Sequence, residues 1–514
     1  MLSLPDRFNA AAHFIDPHAE VRPNKVAIEC GSERVAYAEL TARVNRVGNA
    51  LRREFGVRIE ERVLLLLLDT PDFAACFFGA IKIGAVPVPV NTRLKPADYE
   101  YMLNDSRARV AIVSPQLLPH LETIPRERRL FLEHVIVAGH EELIASQSPE
   151  LSAAPTRKDD PAFWLYSSGS TGPPKACVHL QHDMVVTCEL YAKQILNISE
   201  QDRFFSVAKL FFAYGLGNGL YFPLLVGGTS ILLTGQPTPA NVFDVIERHR
   251  PTLLFSVPSN YAALLAHKRG EGEFDLSGVR HAVSAGESLP AAIFGRFKAR
   301  FGVEILDAIG STEALHMFIA NRPGAVRPGS SGQIVPGMEA KILDEEGQHV
   351  PVGEIGNLYV KSDAVCACYW NQHEKTKDTI DGHWLRTGDK YRQDEDGYFW
   401  YAGRSDDMLK VSGRWVSPAE IESALIEHPA VLEAAVVARK DQDDLVKPAA
   451  YVVVGNGLAP EDSLASQLQA FVAEKLAPYK RPRWIDFLPE LPKTATGKIQ
   501  RFKLRKIASD RGEP

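Results

Sequence analysis

Apolar residues fall in short runs separated by turn-forming residues. Val63 to Leu68 is apolar throughout and stops at Asp69-Thr70-Pro71, which predicts a buried strand, a turn and a helix beginning near Phe73. Ala85 to Val90 predicts a return strand, and Val110 to Val113 another. The alternation continues with Ser230 to Leu233 before a helix over Ala240 to His249, and with Leu253 to Val257 before one over Tyr261 to His267. Repeated strand-helix units predict parallel sheet covered by helices, an α/β fold.

After about residue 330 the texture shifts to strands bounded by turn glycines, as in Gly353 to Lys361 and Gly397 to Gly403. A second shift falls near Arg404-Ser405-Asp406-Asp407. Beyond it, a helix over Pro418 to Glu427, strands over Leu432 to Ala438 and Ala449 to Val454, a helix over Ser463 to Leu476 and a basic tail predict a small α+β unit. The expected division is therefore a large domain over 1–404, containing βα-layered sheets and a β-rich subdomain, and a small domain over 405–514. No internal repeat or heptad series supports a solenoid or coiled coil.

Leu210 to Leu233 carries no charge and is long enough to cross a bilayer. Asn218, Pro223 and the glycines at 215, 217, 219, 227 and 228 instead predict buried loops and short elements. The N-terminus has no basic segment followed by a long apolar run, so no secretory signal is expected.

Composition agrees with an ordinary soluble globular protein: 514 residues, 45% hydrophobic and 24% charged. A net charge of −6 gives no electrostatic reason for a nucleic-acid partner. Cys30, Cys76, Cys177, Cys188, Cys366 and Cys368 are scattered apart from one C-x-C pair, which reads as reduced thiols in the cytoplasm without a zinc site.

The segment Tyr166-Ser-Ser-Gly-Ser-Thr-Gly-Pro-Pro-Lys-Ala176 carries the strongest chemical signal. Glycines permit close backbone approach, the hydroxyls of Ser167, Ser168, Ser170 and Thr171 can donate to phosphate oxygens, and Lys175 adds charge. A Ser/Gly surface loop is the plainer alternative. The spacing is not that of a P-loop NTPase, because Ala176 rather than a hydroxyl residue follows the lysine.

Four later segments accompany it in order: Ile309-Gly-Ser-Thr-Glu313, Trp384-Leu-Arg-Thr-Gly-Asp389, Gly403-Arg-Ser-Asp-Asp-Met-Leu-Lys-Val-Ser-Gly413 and Pro492-Lys-Thr-Ala-Thr-Gly-Lys-Ile-Gln-Arg501. Together they resemble the adenylate-forming enzymes, the superfamily of acyl-CoA synthetases, luciferases and peptide-synthetase adenylation domains. The resemblance covers nearly the whole chain. Ala208 to Asn218, Ser284 to Pro290 and Ile309 to Phe318 look most like the substrate-pocket segments of benzoate-CoA ligases. The pattern departs from the superfamily at Ala176, where glycine usually follows the lysine, and at Ile309, where many members carry an aromatic residue.

The resemblance implies ATP, Mg²⁺ and coenzyme A, and assigns roles. Lys498 would serve adenylate formation, Glu313 would help hold Mg²⁺, and Thr171 and Thr312 would contact phosphate. The nucleotide site would comprise Ser167, Ser168, Gly169, Ser170, Thr171, Gly172 and Lys175, the adenine segment Gly286, Glu287 and Ser288, and the run Asp307, Ala308, Ile309, Gly310, Ser311 and Thr312. Asp389 would accept from the ribose hydroxyls with Arg404 beside it. Read alone, Asp389 could be a turn aspartate, Arg404 a surface charge and the basic tail a solvated face. Asp406 would be the hinge, with Lys410, Val411, Ser412, Gly413, Arg414 and Trp415 bordering the CoA tunnel after rotation.

Ala213, Tyr214, Ala285, Gly310, His316 and Met317 would line the acid pocket. The small residues leave a slot, and Tyr214 and Met317 give it flat or adaptable apolar walls. An isolated His316 could equally be a core histidine. These expectations converge on an ATP-dependent ligase joining benzoate or a small substituted benzoate to coenzyme A. Another aryl acid, a short aliphatic acid, loading of a carrier protein, or a non-catalytic binding protein are the alternatives, and a homodimer is left open.

Overall fold

In the computed structural model, the described residues are 2–139, 145–167, 173–270, 272–411, 414–442, 445–455, 462–493 and 499–510. The apolar run near residue 63 forms the strand Arg62–Leu66, and Pro71 opens the helix Pro71–Lys82, where proline's missing N–H costs nothing. Around that strand stands a four-stranded parallel sheet in the order Val86–Pro89, Arg62–Leu66, Val110–Val113, His134–Val137. Two prolines are tolerated in Val86–Pro89 because it is an edge strand, where missing ladder donors are not needed.

A nine-stranded sheet forms the larger layer. Its central strands, Ile305–Gly310, His281–Ser284, Leu253–Ser256, Arg203–Ser206, Thr229–Leu232 and Val26–Cys30, pair in parallel. Antiparallel Met317–Ala320 and Gln333–Ile334 extend one side, and Glu33–Ala36 the other. The segments 284–290 and 310–317 leave or follow carboxyl ends of these strands, the position where open α/β sheets bind ligands.

The uncharged stretch over 210–233 resolves into the short helix Ala213–Leu216, a wider π-turn over Gly217–Tyr221, the helix Phe222–Val226 and the strand Thr229–Leu232. Gly227, at φ +73°, ends that helical run. Among the described residues no helix is long and apolar enough to cross a membrane.

Lys175–Leu180 pairs antiparallel with Pro161–Ser167 on one side and the short strand Cys368–Tyr369 on the other, forming the stem around residues 168–172. A five-stranded sheet holds Trp384–Gln393 beside Phe399–Arg404, with Asp389 opposite Arg404. The last described third contains the hairpin Leu409–Val411/Arg414–Val416 and a three-stranded sheet of Val431–Lys440, Val446–Val454 and Trp484–Phe487. One apolar cluster joins Phe205, Leu254, Phe297 and Ile305 of the nine-stranded layer to Leu409, Val416 and Ile421 of the later elements.

Candidate active site

The pair expected beside the ribose is set by strand register. Asp389 and Arg404 stand opposite one another, and Arg404 Nη1 donates to Asp389 Oδ1 at 3.1 Å and to the Thr387 carbonyl at 3.0 Å. Gly388, directly before Asp389, adopts φ +76°. A Cβ there would lie 2.8 Å from Arg404 Nη2, so the guanidinium occupies the space that glycine leaves. Asp389 and Arg404 therefore form an arranged pair rather than separate surface charges.

The segment expected beside the adenine follows the strand His281–Ser284. Gly286 adopts φ +92°, and Asp307, buried in the adjacent strand, accepts from Leu289 N–H at 3.3 Å. Burial pushes the Asp307 carboxyl well above the usual carboxylate range, so this group braces the segment from beneath rather than presenting charge to a ligand. Glu287 Oε1 accepts from Ile499 N–H at 3.1 Å. That contact spans 212 residues and brings Ile499 against the segment that follows His281–Ser284.

The turn over 310–316 is wound tightly. Ala314 N–H donates to Ser311 Oγ at 3.2 Å, His316 N–H to the Ala314 carbonyl at 2.7 Å, and Leu315 is held at φ +63°, an uncommon conformation for a γ-branched residue. A buried pair missed by sequence reasoning supports it: His179 Nε2 donates to the Thr312 carbonyl at 2.9 Å while His179 Nδ1 meets Asp183 Oδ2 at 2.8 Å. Their i, i+4 spacing was visible in the chain, although their target was not.

Glu313 leaves this turn toward the stem. Its Oε1 accepts from Tyr369 Oη at 2.7 Å and Ser167 Oγ at 3.2 Å; among the described residues no hydrogen bond falls on Oε2. No group of three or more His, Cys, Asp or Glu suited to a metal occurs among the described residues. One carboxylate with an oxygen to spare fits Mg²⁺ of the kind carried in on substrate phosphates, which takes few protein ligands and keeps water. Lys175 lies nearby, its Nζ 4.4 Å from the Tyr369 ring centroid. Tyr101 Oη donates to the Pro174 carbonyl at 3.1 Å, and Tyr166 Oη to Asp105 Oδ2 at 2.7 Å, fastening the two strands of the stem at the end that flanks residues 168–172.

The expected acid pocket is brought together around His316. Its ring lies 5.9 Å from Tyr214, 5.3 Å from Tyr191 and 4.5 Å from Phe222. Tyr191 comes from a second π-turn, Cys188–Ala192, so two such turns flank one ring; π-turns are often found at functional sites. Tyr191 and Phe222 had no sequence signal beyond being aromatic. His316 is 2% exposed, and burial pushes its imidazole down to about 3, with a partial opposing pull from the Tyr214 backbone carbonyl that falls short of hydrogen-bonding geometry. The wall is thus neutral. Tyr214 Oη donates to the carbonyls of Ser256 and Val283 at 3.2 Å each, and Ala213, Ala285 and Met317 are buried.

Gly310 is small for a reason other than making room for a ring. A Cβ there would lie 2.4 Å from the His316 carbonyl oxygen and 2.9 Å from Met317 N, so it faces the hairpin backbone. Gly217 matches it opposite, where a Cβ would meet His316 Cδ2 at 2.5 Å. His316 is held between two glycines.

Farther on, Asp406 lies in the turn after Arg404, and Asp407 is tied to Arg505 at 2.6 Å. Lys410 and Arg414 are exposed, Val411 is buried, and Trp415 is 54% exposed, so this hairpin faces solvent in the present orientation. Ser168, Gly169, Ser170, Thr171, Gly172, Ser412, Gly413 and Lys498 lie outside the described residues. Ala308, Ile309, Ser311, Thr312 and Ser288 lie on the two segments described above.

Residues 15–370 match the family described as AMP-binding enzyme, and residues 420–498 match the AMP-binding enzyme C-terminal domain. The chain is 51% identical to a benzoate–CoA ligase of Thauera aromatica, over 98% of this chain and 97% of that one. Among solved structures it resembles the anthranilate CoA ligase AuaEII in complex with anthranoyl-AMP, at TM-score 0.96 and 46% identity over 99% of this chain and 98% of that one. A benzoate CoA ligase from Burkholderia xenovorans LB400 is similar at TM-score 0.91 and 48% identity, over 97% of this chain and all of the other (100%).

Proposed function

The chain belongs to the AMP-binding enzyme family of adenylate-forming enzymes, and on that premise we propose that it joins benzoate or a small substituted benzoate to coenzyme A in two steps. In the first, a carboxylate oxygen of the acid bonds to the α-phosphorus of ATP and pyrophosphate leaves. In the second, the thiolate of coenzyme A attacks the acyl carbon and AMP leaves. The activity belongs in the cytoplasm, where ATP and coenzyme A are supplied.

The first step brings two anions together, so the site must offer positive charge and donors aimed at the developing transition state. Lys498 supplies the ammonium, and the Ile499–Glu287 contact is the observation that supports its reaching the acid and α-phosphate from the small domain. Ser167 and Lys175 serve the phosphates from the stem, along with Thr171 and its neighbours. Asp389 accepts from the ribose hydroxyls while Arg404 holds its other face. Mg²⁺, when bound, neutralises phosphate charge, and Glu313 Oε2 is the oxygen available to it.

For the second step we assign a boundary after Arg404 and a hinge at Asp406. Rotation there would withdraw Lys498 and turn the exposed Lys410 to Trp415 hairpin toward the acyl group, opening a path for the thiol.

The aryl reading is supported by one observation: at the expected acid pocket the rings of Tyr214, Tyr191 and Phe222 gather around a neutral His316, with no charged side chain among them. Flat apolar rings pack well against one another, whereas a short aliphatic acid would leave that surface unfilled. ATP–pyrophosphate exchange with benzoate, aminobenzoates, hydroxybenzoates, acetate and butyrate tests it, followed by AMP release with coenzyme A or a carrier protein as acceptor. Benzoate or a small derivative should lead and coenzyme A should be the acceptor. Faster exchange with the aliphatic acids would overturn the aryl reading.

A further inference from the structure

Tyr369 takes no part in the chemistry above, yet it touches two groups that do. Its hydroxyl donates to Glu313 Oε1 at 2.7 Å, and the face of its ring carries the Lys175 ammonium at 4.4 Å from the centroid. Both partners are remote in sequence, Glu313 by 56 positions. The residue is 3% exposed and its backbone is pinned, with Tyr369 paired to Cys177 in the stem sheet and its N–H donating to Thr376 Oγ1 at 3.0 Å. The side chain is therefore a fixed post between the carboxylate and the ammonium.

A carboxylate and an ammonium that flank one side chain attract one another. Among the described residues, neither Glu313 nor Lys175 enters an ion pair. Tyr369 supplies each with a weaker partner suited to its sign: an O–H for the anion and a ring face for the cation. Each is also easily released to a nucleotide, because a carboxylate keeps a second oxygen and a cation over a ring keeps its hydrogen-bond donors.

We propose that Tyr369 is a positioning residue that holds Glu313 and Lys175 apart and preset, so that incoming Mg²⁺–ATP meets two unpaired charges instead of a closed salt bridge. This rests on the reading of the site as an ATP site. Ser167, which also donates to Glu313 Oε1, is the secondary support on the anionic side.

The test compares Tyr369→Phe, which keeps the ring and removes the hydroxyl, with Tyr369→Leu, which removes both. Binding of ATP is measured by calorimetry with Mg²⁺ and again with EDTA, and thioester formation is measured from supplied benzoyl-AMP. In Tyr369→Phe, ATP binding in Mg²⁺ should weaken roughly tenfold, while binding in EDTA stays near the parent value. Tyr369→Leu should weaken binding in both media, because Lys175 loses its seat and closes onto Glu313. Thioester formation from benzoyl-AMP should be unchanged in the Phe variant. Parental Mg²⁺–ATP binding by Tyr369→Phe overturns the proposal, as does equal weakening with and without Mg²⁺ or a matching loss of thioester formation. If Tyr369→Leu does not fold, the Phe variant decides alone. Failure of the parent protein to bind ATP would instead overturn the functional reading beneath it.

Discussion

Replacing Gly310 by alanine adds one carbon atom at a place with no slack. The new Cβ would start 2.4 Å from the His316 carbonyl oxygen, 2.7 Å from its carbon and 2.9 Å from Met317 N. Ordinary contact needs about 3.5 Å, so the hairpin must open by roughly 1 Å. The backbone at 316 has little room to yield, because the imidazole already rests against Gly217, where a Cβ would be 2.5 Å away. Overpacking of this kind costs about 1 to 3 kcal/mol, and a displacement near 1 Å in a residue shaping the site can cost about 10²-fold in rate. For Gly310→Ala we therefore expect kcat/KM for benzoate to fall by between one and two orders of magnitude. The fall should be accompanied by a flatter ranking among ring-substituted acids. CoA-dependent AMP release measures both, and circular dichroism confirms folding. Gly295→Ala is the control: it lies within the helix Ala291–Phe301, and a Cβ there meets nothing within 4 Å. That variant should keep parental activity and gain up to about 1 kcal/mol of stability from helix propensity. A Gly310→Ala enzyme within twofold of the parent, with its ranking intact, would refute the reasoning.

Lys498→Ala should lower ATP–pyrophosphate exchange by about two orders of magnitude through loss of one preorganised donor. Thioester formation from supplied benzoyl-AMP should persist, and equal slowing of both steps would remove the assignment. Asp406→Pro fixes φ in the turn after Arg404; adenylation should survive while thioester formation slows selectively, and normal turnover would place the hinge elsewhere. His316 is pushed down from 6.5 to about 3 by burial, so the unfolded chain takes up the proton first. Its contribution to stability is complete above about pH 6.5 and is lost as pH falls toward 3, so His316→Phe should flatten the thermal midpoint against pH across that window. Superimposable profiles for the two proteins would count against a buried, neutral imidazole.

Local chemistry made much of the fold legible along the chain. The apolar run at 110–113 is the strand Val110–Val113, and the patterns at 240–249 and 418–427 end within a residue of the helices Pro239–His249 and Pro418–Ile426. The stretch over 210–233 broke into short elements as its glycines and proline required. Glu313, Asp389 and Arg404 were marked through the resemblance of their segments, taken together, to adenylate-forming enzymes; read alone, Asp389 fitted a turn and Arg404 a surface charge.

Other features depend on which distant segments the sheets place side by side. Tyr369 was one more aromatic residue until the pairing of Cys368–Tyr369 with Lys175–Leu180 set it under Lys175 and against Glu313. His179 and Asp183 showed a spacing without a target until the former met the Thr312 carbonyl. Gly310 looked like room for a substrate ring and proved to be room for the backbone of its own hairpin. Periodicity and turn chemistry act over a few residues, so they can be read in order along the chain. The contacts of Tyr369 with Lys175 and Glu313, of His179 with Thr312 and of Glu287 with Ile499 close over tens to hundreds of residues, and they exist only once the layers have packed.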